Sequence, residues 1–306
     1  MTVPRATADP IDIGNVARPP FVRLPDLQTL FARRVARLDE LSRGHPMADY
    51  LQFIAALVSA QAEAVDHLPA GSLPGPDQIA FFHEHKLPLV DRLTWRRDPS
   101  WQAALDEVLA HLSPAAMPDP ARAALDALKR TGPDGREALA DRVLGIDPAP
   151  ADMAQACFVS AALQVYWTRM AALLDPPTVL AVEPPGACPI CGSSPVASVV
   201  YAEGPLQGVR FLCCPLCASE WHCVRIKCAN CQSTKGIAYQ HIPEQPALKA
   251  ETCDECRTYT KILYKEKDPG GEPFADDLAT LALDVLVGEA GWARATPNPF
   301  LVPATR

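Results

Sequence analysis

No run of 18 uncharged apolar residues occurs in the 306-residue chain, so no segment is expected to span a bilayer. The opening stretch, "MTVPRATADPIDIGNVARPPFVRL", has neither an apolar h-region nor a small-residue cleavage site, and no secretory signal peptide is expected there. Arg33-Arg34 is a twin arginine, but it sits inside an amphipathic pattern with nothing hydrophobic behind it. An export signal of that type is therefore not expected. The resulting expectation is a cytoplasmic location, where disulfides are rare and clustered cysteines bind metal or do redox work. Positive charge is in deficit: the formal net charge is −8, which argues against bulk attraction to nucleic acid but leaves room for a local basic patch. Aromatic residues make up only 7 %, and Ala and Leu carry most of the apolar content, a mix that favours a helical body. The phosphate-binding loops G-x-x-x-x-G-K-[ST] and G-x-G-x-x-G, the H-E-x-x-H helix and the G-x-S-x-G turn are all missing. No paired carboxylates and no nucleophile–base spacing stand out either. No catalytic residue is nominated, and the chain is expected not to be an enzyme.

Helical periodicity dominates the first half. Residues 1–23 are Pro-rich and aperiodic and read as an extended arm. Leu27, Leu30, Phe31, Val35, Leu38 and Leu41 recur at steps of three and four, and Leu51, Ile54, Leu57, Val58 and Val65 form a second such face. "LPAGSLPGP" is a loop. Trp101 to Leu112, Leu125 with Leu128, and Leu139 to Leu144 predict three more helices. The longest apolar segment, Met153 to Leu174, is rich in small residues on several sides and is expected at the centre of a bundle. Cys157 lies within it and reads as a small buried hydrophobe. "FFHEHK" holds His83 and His85 at i and i+2, which face apart on a helix. It reads as a surface loop or helix start, not as a metal pair.

Beyond Pro176-Pro177 the pattern changes. "ASVVYAE", "GVRFLCC" and "TYTKILYK" are short alternating runs that predict strands, and "FADDLATLALDVLVGEAGW" predicts one last helix. Ten of the eleven cysteines fall here, and eight of them make four C-x-x-C pairs: Cys188/Cys191, Cys214/Cys217, Cys228/Cys231 and Cys253/Cys256. Cys191 to Cys214 leaves 22 residues and Cys231 to Cys253 leaves 21, whereas Cys217 to Cys228 leaves only 10. The spacing is thus one unit written twice. Two residues between cysteines let a tight turn aim both sulfurs at one point, with backbone N–H groups free to bond the thiolates. Two such knuckles joined by a β-ribbon present four sulfurs in a tetrahedron, which suits Zn²⁺ or iron in a rubredoxin-type site. Gly192 after the first knuckle fits a position with φ > 0.

Other uses of these thiols compete with two mononuclear tetrathiolate sites. A thioredoxin-like redox pair needs one C-x-x-C opening a helix, a disulfide framework needs an oxidising compartment, and iron–sulfur clusters usually take other spacings. Cys213 and Cys223 stand outside the repeat and read as spare thiols. His222 and His241 lie nearby, but eight thiols leave them no place as ligands. Between 181 and 267 acidic and basic side chains nearly balance, which favours a protein partner over a nucleic acid.

The expected architecture is α+β: an N-terminal helical bundle domain, two rubredoxin-like or zinc-ribbon-like β units, and a final helix. Its expected divisions are an arm at 1–23, a helical domain at 24–177, metal-binding units at 178–227 and 228–268, and a helix and tail at 269–306. "ASEWHCVRIK" is expected to be a strand coupling the two sites. It would set Trp221 and Arg225 on one face as candidate partner contacts.

"CPICGSSP", "LCCPLCASEWHCVRIKCANC" and "ETCDEC" together resemble FdhE, the formate dehydrogenase accessory protein family. The Glu-Trp after the second knuckle and the Val-Arg-x-Lys-Cys run into the third carry most of the likeness. The resemblance implies a cytoplasmic maturation factor for respiratory formate dehydrogenases. It implies iron instead of zinc in two rubredoxin-like sites, and binding to the molybdenum-containing catalytic subunit before export. A zinc-ribbon module that binds nucleic acid is the competing reading.

Overall fold

The computed structural model describes residues 19–68, 71–145 and 152–301. Most of the expected N-terminal arm and the last five residues of the tail lie outside these ranges. Among the described residues, seven α-helices make up most of the first half: α1 (Leu30–Ser42), α2 (Ala48–His67), α3 (Pro76–Glu84), α4 (Ser100–Ala110), α5 (Asp119–Arg130), α6 (Pro133–Gly145) and α7 (Met153–Ala172). α7 packs against α2, α4, α5 and α6 and buries residues around its whole circumference, from Phe158 to Ala171. Its small side chains are what let four neighbours approach, as the sequence led us to expect. α3 has too few apolar residues for its periodicity to show, and none of its residues is buried. His83 and His85 both fall at its end. His83 Nε2 lies 2.8 Å from Thr178 O, and the His85 ring stacks on Phe81 at 4.2 Å.

The strands are β1 (Val22–Arg23), β2 (Ala197–Val200), β3 (Arg210–Cys213), β4 (Glu220–His222), β5 (Ile237–Gln240), β6 (Leu248–Cys253), β7 (Thr258–Tyr264) and β8 (Ala293–Arg294). They form one sheet in the order β1-β4-β3-β2-β7-β6-β5, with β8 also on β7. Each cysteine repeat supplies an antiparallel ribbon, β2/β3 and β5/β6. A parallel pairing of β2 with β7, Ala197 opposite Lys261 through Val200 opposite Tyr264, fuses the two. The chain before the first helix closes one edge, where Val22 faces Trp221.

The single C-terminal helix expected from the sequence is two, α8 (Pro273–Ala279) and α9 (Leu281–Glu289), broken at Thr280. Lys261 stands at the break. Its buried Nζ donates to the carbonyls of Asp277 and Thr280 and to Thr280 Oγ1, and pairs with Asp284 Oδ2 at 2.6 Å. An ammonium on the last carbonyls of α8 caps that helix end, while Thr280 O also accepts from Leu283 N at the start of α9. One core runs from the bundle through Cys188, Ile190, Cys191, Leu212, Cys214, Leu216 and Cys217 to Phe274 and Phe300. A smaller one lies on the sheet beneath α9, around Val199, Phe211, Leu248, Leu263 and Leu283. Among the described residues no helix is long and apolar enough to cross a membrane.

Candidate metal centres

Each knuckle is closed by the same local device. The residue after the second cysteine takes a left-handed conformation, and the residue after that is Ser or Thr. Gly192, Ala218, Gln232 and Arg257 have φ of 71°, 55°, 63° and 55°. The turn is tied by backbone hydrogen bonds from Cys188 N to Ser193 O, Cys214 N to Ser219 O and Cys228 N to Ser233 O, at 2.8–2.9 Å. In the fourth knuckle Cys253 pairs with Thr258 in the β6–β7 ladder. Only Gly192 among the four left-handed residues is the type that adopts this geometry freely, so the other three were not legible individually. The repeated hydroxyl residue two places after each knuckle was a legible signal.

The four knuckles converge in two groups of four sulfurs, all within 4.8 Å of one another: Cys188, Cys191, Cys214 and Cys217, then Cys228, Cys231, Cys253 and Cys256. Sulfurs meet across knuckles, Cys188 with Cys217 at 3.6 Å, Cys191 with Cys214 at 3.3 Å, and Cys228 with Cys256 and Cys231 with Cys253 at 3.7 Å. Four sulfurs about 2.3 Å from a common centre would stand roughly 3.8 Å apart. These separations fit one tetrahedrally bound ion per group, and all eight cysteines are free of disulfides. Backbone amides turn toward the sulfurs: Leu216 N and Cys217 N lie 3.4 and 3.3 Å from Cys214 Sγ, and Asn230 N and Cys231 N lie 3.4 and 3.5 Å from Cys228 Sγ. Hydroxyls add to this, Ser193 at 3.3 Å from Cys191 Sγ, Ser219 at 3.3 Å from Cys217 Sγ and Thr258 at 3.0 Å from Cys256 Sγ. The amide donors favour the thiolate over the thiol.

The two groups sit in different surroundings. All four cysteines of the first are buried, whereas Cys231 of the second is exposed and Cys256 half-buried. The first is gripped by the helical body. Val90 N donates to Ile190 O at 2.8 Å and Arg92 N to Cys191 O at 2.9 Å. Gln164 and Thr168 of α7 donate to Pro215 O and Leu216 O. Burial pushes the Cys188 and Cys217 thiols well above their ordinary range, while hydrogen bonds from the neighbouring cysteines and Ser193 overcome burial and hold Cys191 well below it. In the second group burial raises Cys228 and Cys253. Cys256 is lowered to about 6, because its bonds to Thr258 outweigh the opposing effect of burial. Each quartet can hold one cation, with no coordination position left over for a substrate.

The other candidates lie elsewhere. Cys213 and Cys223 are buried, raised by desolvation, and belong to neither group. His222 is half-buried against Phe211, with its pKa lowered by desolvation. The strand expected over "ASEWHCVRIK" ends at His222, which corrects the shared face proposed for Trp221 and Arg225. Trp221 is 4 % exposed, paired between Val22 and Leu212. Beyond it the chain must leave the sheet plane to cross toward Cys228, and that crossing exposes Val224, Arg225 and Ile226. Missed by the sequence reading were the buried charges beneath the crossing, Arg210 and Glu251, which no periodicity distinguishes from surface residues.

Three family models cover nearly all the described chain: FdhE N-terminal over residues 19–183, FdhE central domain over 187–225 and FdhE C-terminal domain over 226–301. The chain is 44 % identical over 282 residues to an FdhE homologue of Edwardsiella ictaluri, covering 92 % of this chain and 91 % of that one. It is 42 % identical over 290 residues to one of Cronobacter sakazakii, covering 93 % and 92 %. The crystal structure of the FdhE protein from Pseudomonas aeruginosa superposes with a TM-score of 0.84 at 37 % identity, over 94 % of this chain and all of that one. With the cysteine repeat, the fold and relatives of matching length in agreement, the chain belongs to the FdhE family.

Proposed function

We propose that this protein is an accessory factor for the maturation of a respiratory formate dehydrogenase, binding its catalytic subunit in the cytoplasm. In this reading Cys188, Cys191, Cys214 and Cys217 hold one iron ion, and Cys228, Cys231, Cys253 and Cys256 hold another. The observation that carries it is the closure of both quartets. Four thiolates with amide donors and hydroxyls around them leave no open position, which suits a structural or electron-transferring ion and not substrate turnover. Family membership supports the partner and the choice of iron, and zinc would fit the same sulfur geometry. The crossing segment is the candidate contact. Val224 and Ile226 are 60 % and 65 % exposed, and Arg225 stands between them. Arginine is among the side chains that most often anchor interfaces. Trp221 is buried in the sheet between Val22 and Leu212, just before this segment.

Metal analysis with an absorption spectrum of anaerobically purified protein tests the sites. Two ions per chain and ferric tetrathiolate bands are expected; a colourless two-metal protein would assign zinc. Co-purification tests the partner. Arg225→Glu should keep both ions and weaken capture of the catalytic subunit, and a retarded band with DNA or RNA at low salt would favour the zinc-ribbon reading instead.

A further inference from the structure

We propose that Arg210 is a positioning residue that couples the two centres, so that an ion in the first holds the second together. The inference rests on the two-ion reading above. Arg210 lies in β3, four residues before Cys214, and is fully buried. Its guanidinium reaches four acceptors on other segments. Nε donates to Ser198 Oγ at 3.2 Å and Nη2 to Glu251 Oε1 at 2.8 Å. Nη1 donates to Lys227 O at 3.1 Å and Arg225 O at 3.5 Å. Its own carbonyl accepts from Cys223 N at 3.1 Å. Glu251 stands in β6, two residues before Cys253, and its other oxygen accepts from Tyr239 OH of β5 at 3.1 Å. Tyr239 OH also lies 3.3 Å from Arg225 O.

The sequence positions of these contacts give them their meaning. Arg210 is on the strand that runs into the second knuckle, which belongs to the first centre. Lys227 immediately precedes the third knuckle and Glu251 closely precedes the fourth, and both of those belong to the second centre. One side chain therefore reaches from the first centre to both halves of the second. A buried arginine is costly unless its donors are taken, and its planar fork holds several acceptors in one fixed geometry. An ion on Cys214 and Cys217 fixes the ends of β3 and β4 and so fixes Arg210. With Arg210 fixed, the carbonyls of Arg225 and Lys227 and the carboxylate of Glu251 have a preformed partner, and less ordering remains when the second quartet binds. Coupling of this kind is reciprocal, and its usual size is about 5- to 150-fold in affinity.

The test is a double-mutant cycle on the full chain loaded with zinc, following release into a chromogenic chelator. The phase missing from Cys253→Ser identifies the second centre. Cys214→Ser, which empties the first centre, is expected to speed release from the second by about tenfold. In the Arg210→Met/Glu251→Leu background the same change should alter that rate by less than about twofold. Removing both charges together spares the fold the cost of an unpaired buried ion. Arg210→Lys is the second variant. It keeps a cation near Glu251 but lacks the fork, and should lose most of the coupling. Far-UV circular dichroism confirms folding. A tenfold effect of Cys214→Ser that persists in both backgrounds overturns the proposal and leaves two zinc-binding sites intact. Fewer than two zinc ions in the parent overturns it together with the two-ion reading.

Discussion

The two tetracysteine centres share a sequence pattern and a local geometry but differ in what surrounds them. Both are built from knuckles with a left-handed residue after the second cysteine and a hydroxyl residue after that. The first lies inside the main core, tied to α7 and to the segment around Val90, whereas the second lies at the sheet edge beside β5, with Cys231 in solvent. The knuckle specifies how sulfurs are presented. Its neighbours specify how well the ion is retained and what can reach it.

The largest expected effect tests that difference directly. Cys188→Ser should destabilise the whole chain, helices included, by on the order of 5 kcal/mol, because structural ions in small domains contribute on the order of ten. Cys253→Ser should cost markedly less, with the loss centred on β5, β6 and the fourth knuckle. Thermal unfolding followed by circular dichroism, with limited proteolysis of the helical half, separates the two. Equal losses, or an untouched helical body in Cys188→Ser, would break the contrast.

Metal removal should follow the same order. Under a chelator the ion of the second centre should leave at least about tenfold faster, which needs only ~1.4 kcal/mol more opening free energy at the first. A single release phase for both ions would show that edge and core positions are equivalent.

Thiol chemistry sharpens the comparison. Once the second centre is stripped, Cys256 should be alkylated first at pH 7. With a pKa of about 6 it is mostly thiolate there, and it is half-buried while Cys191 is buried. The thiolate exists above that pKa, so the selectivity should fade as pH falls through about 6. Mass spectrometry of partly labelled protein reads it, and first labelling at Cys191 would contradict the burial difference.

The smallest effect concerns what the centres share. At Gly192, φ is 71° and an added Cβ would stand 2.4 Å from Asp91 Oδ2, so Gly192→Ala should cost about 2 kcal/mol. Ala218→Gly, at the matching place in the next knuckle, should gain about 1 kcal/mol or less. Denaturant midpoints of the two variants check this, and a neutral Gly192→Ala would mean that the knuckle tolerates any residue.

Sequence alone determined which cysteines gather in fours, the helical first half ahead of the main strands and the central place of α7. These rest on short-range regularities: two residues between cysteines, a repeated spacing of about twenty, and an apolar helix lined with small side chains. Tertiary structure decided the rest. The parallel pairing of β2 with β7 is a contact between segments some sixty residues apart, which neither strand encodes by itself. The last helix divides at Thr280, where folding buries the Lys261 ammonium against the end of α8, and the helix's own periodicity gives no sign of that. Trp221 and Arg225 part because the chain turns to cross the sheet over Arg210. Burial of one centre and exposure of the other follow from which of two similar repeats the helical body packs against, and a side chain's access to water depends on every segment that covers it.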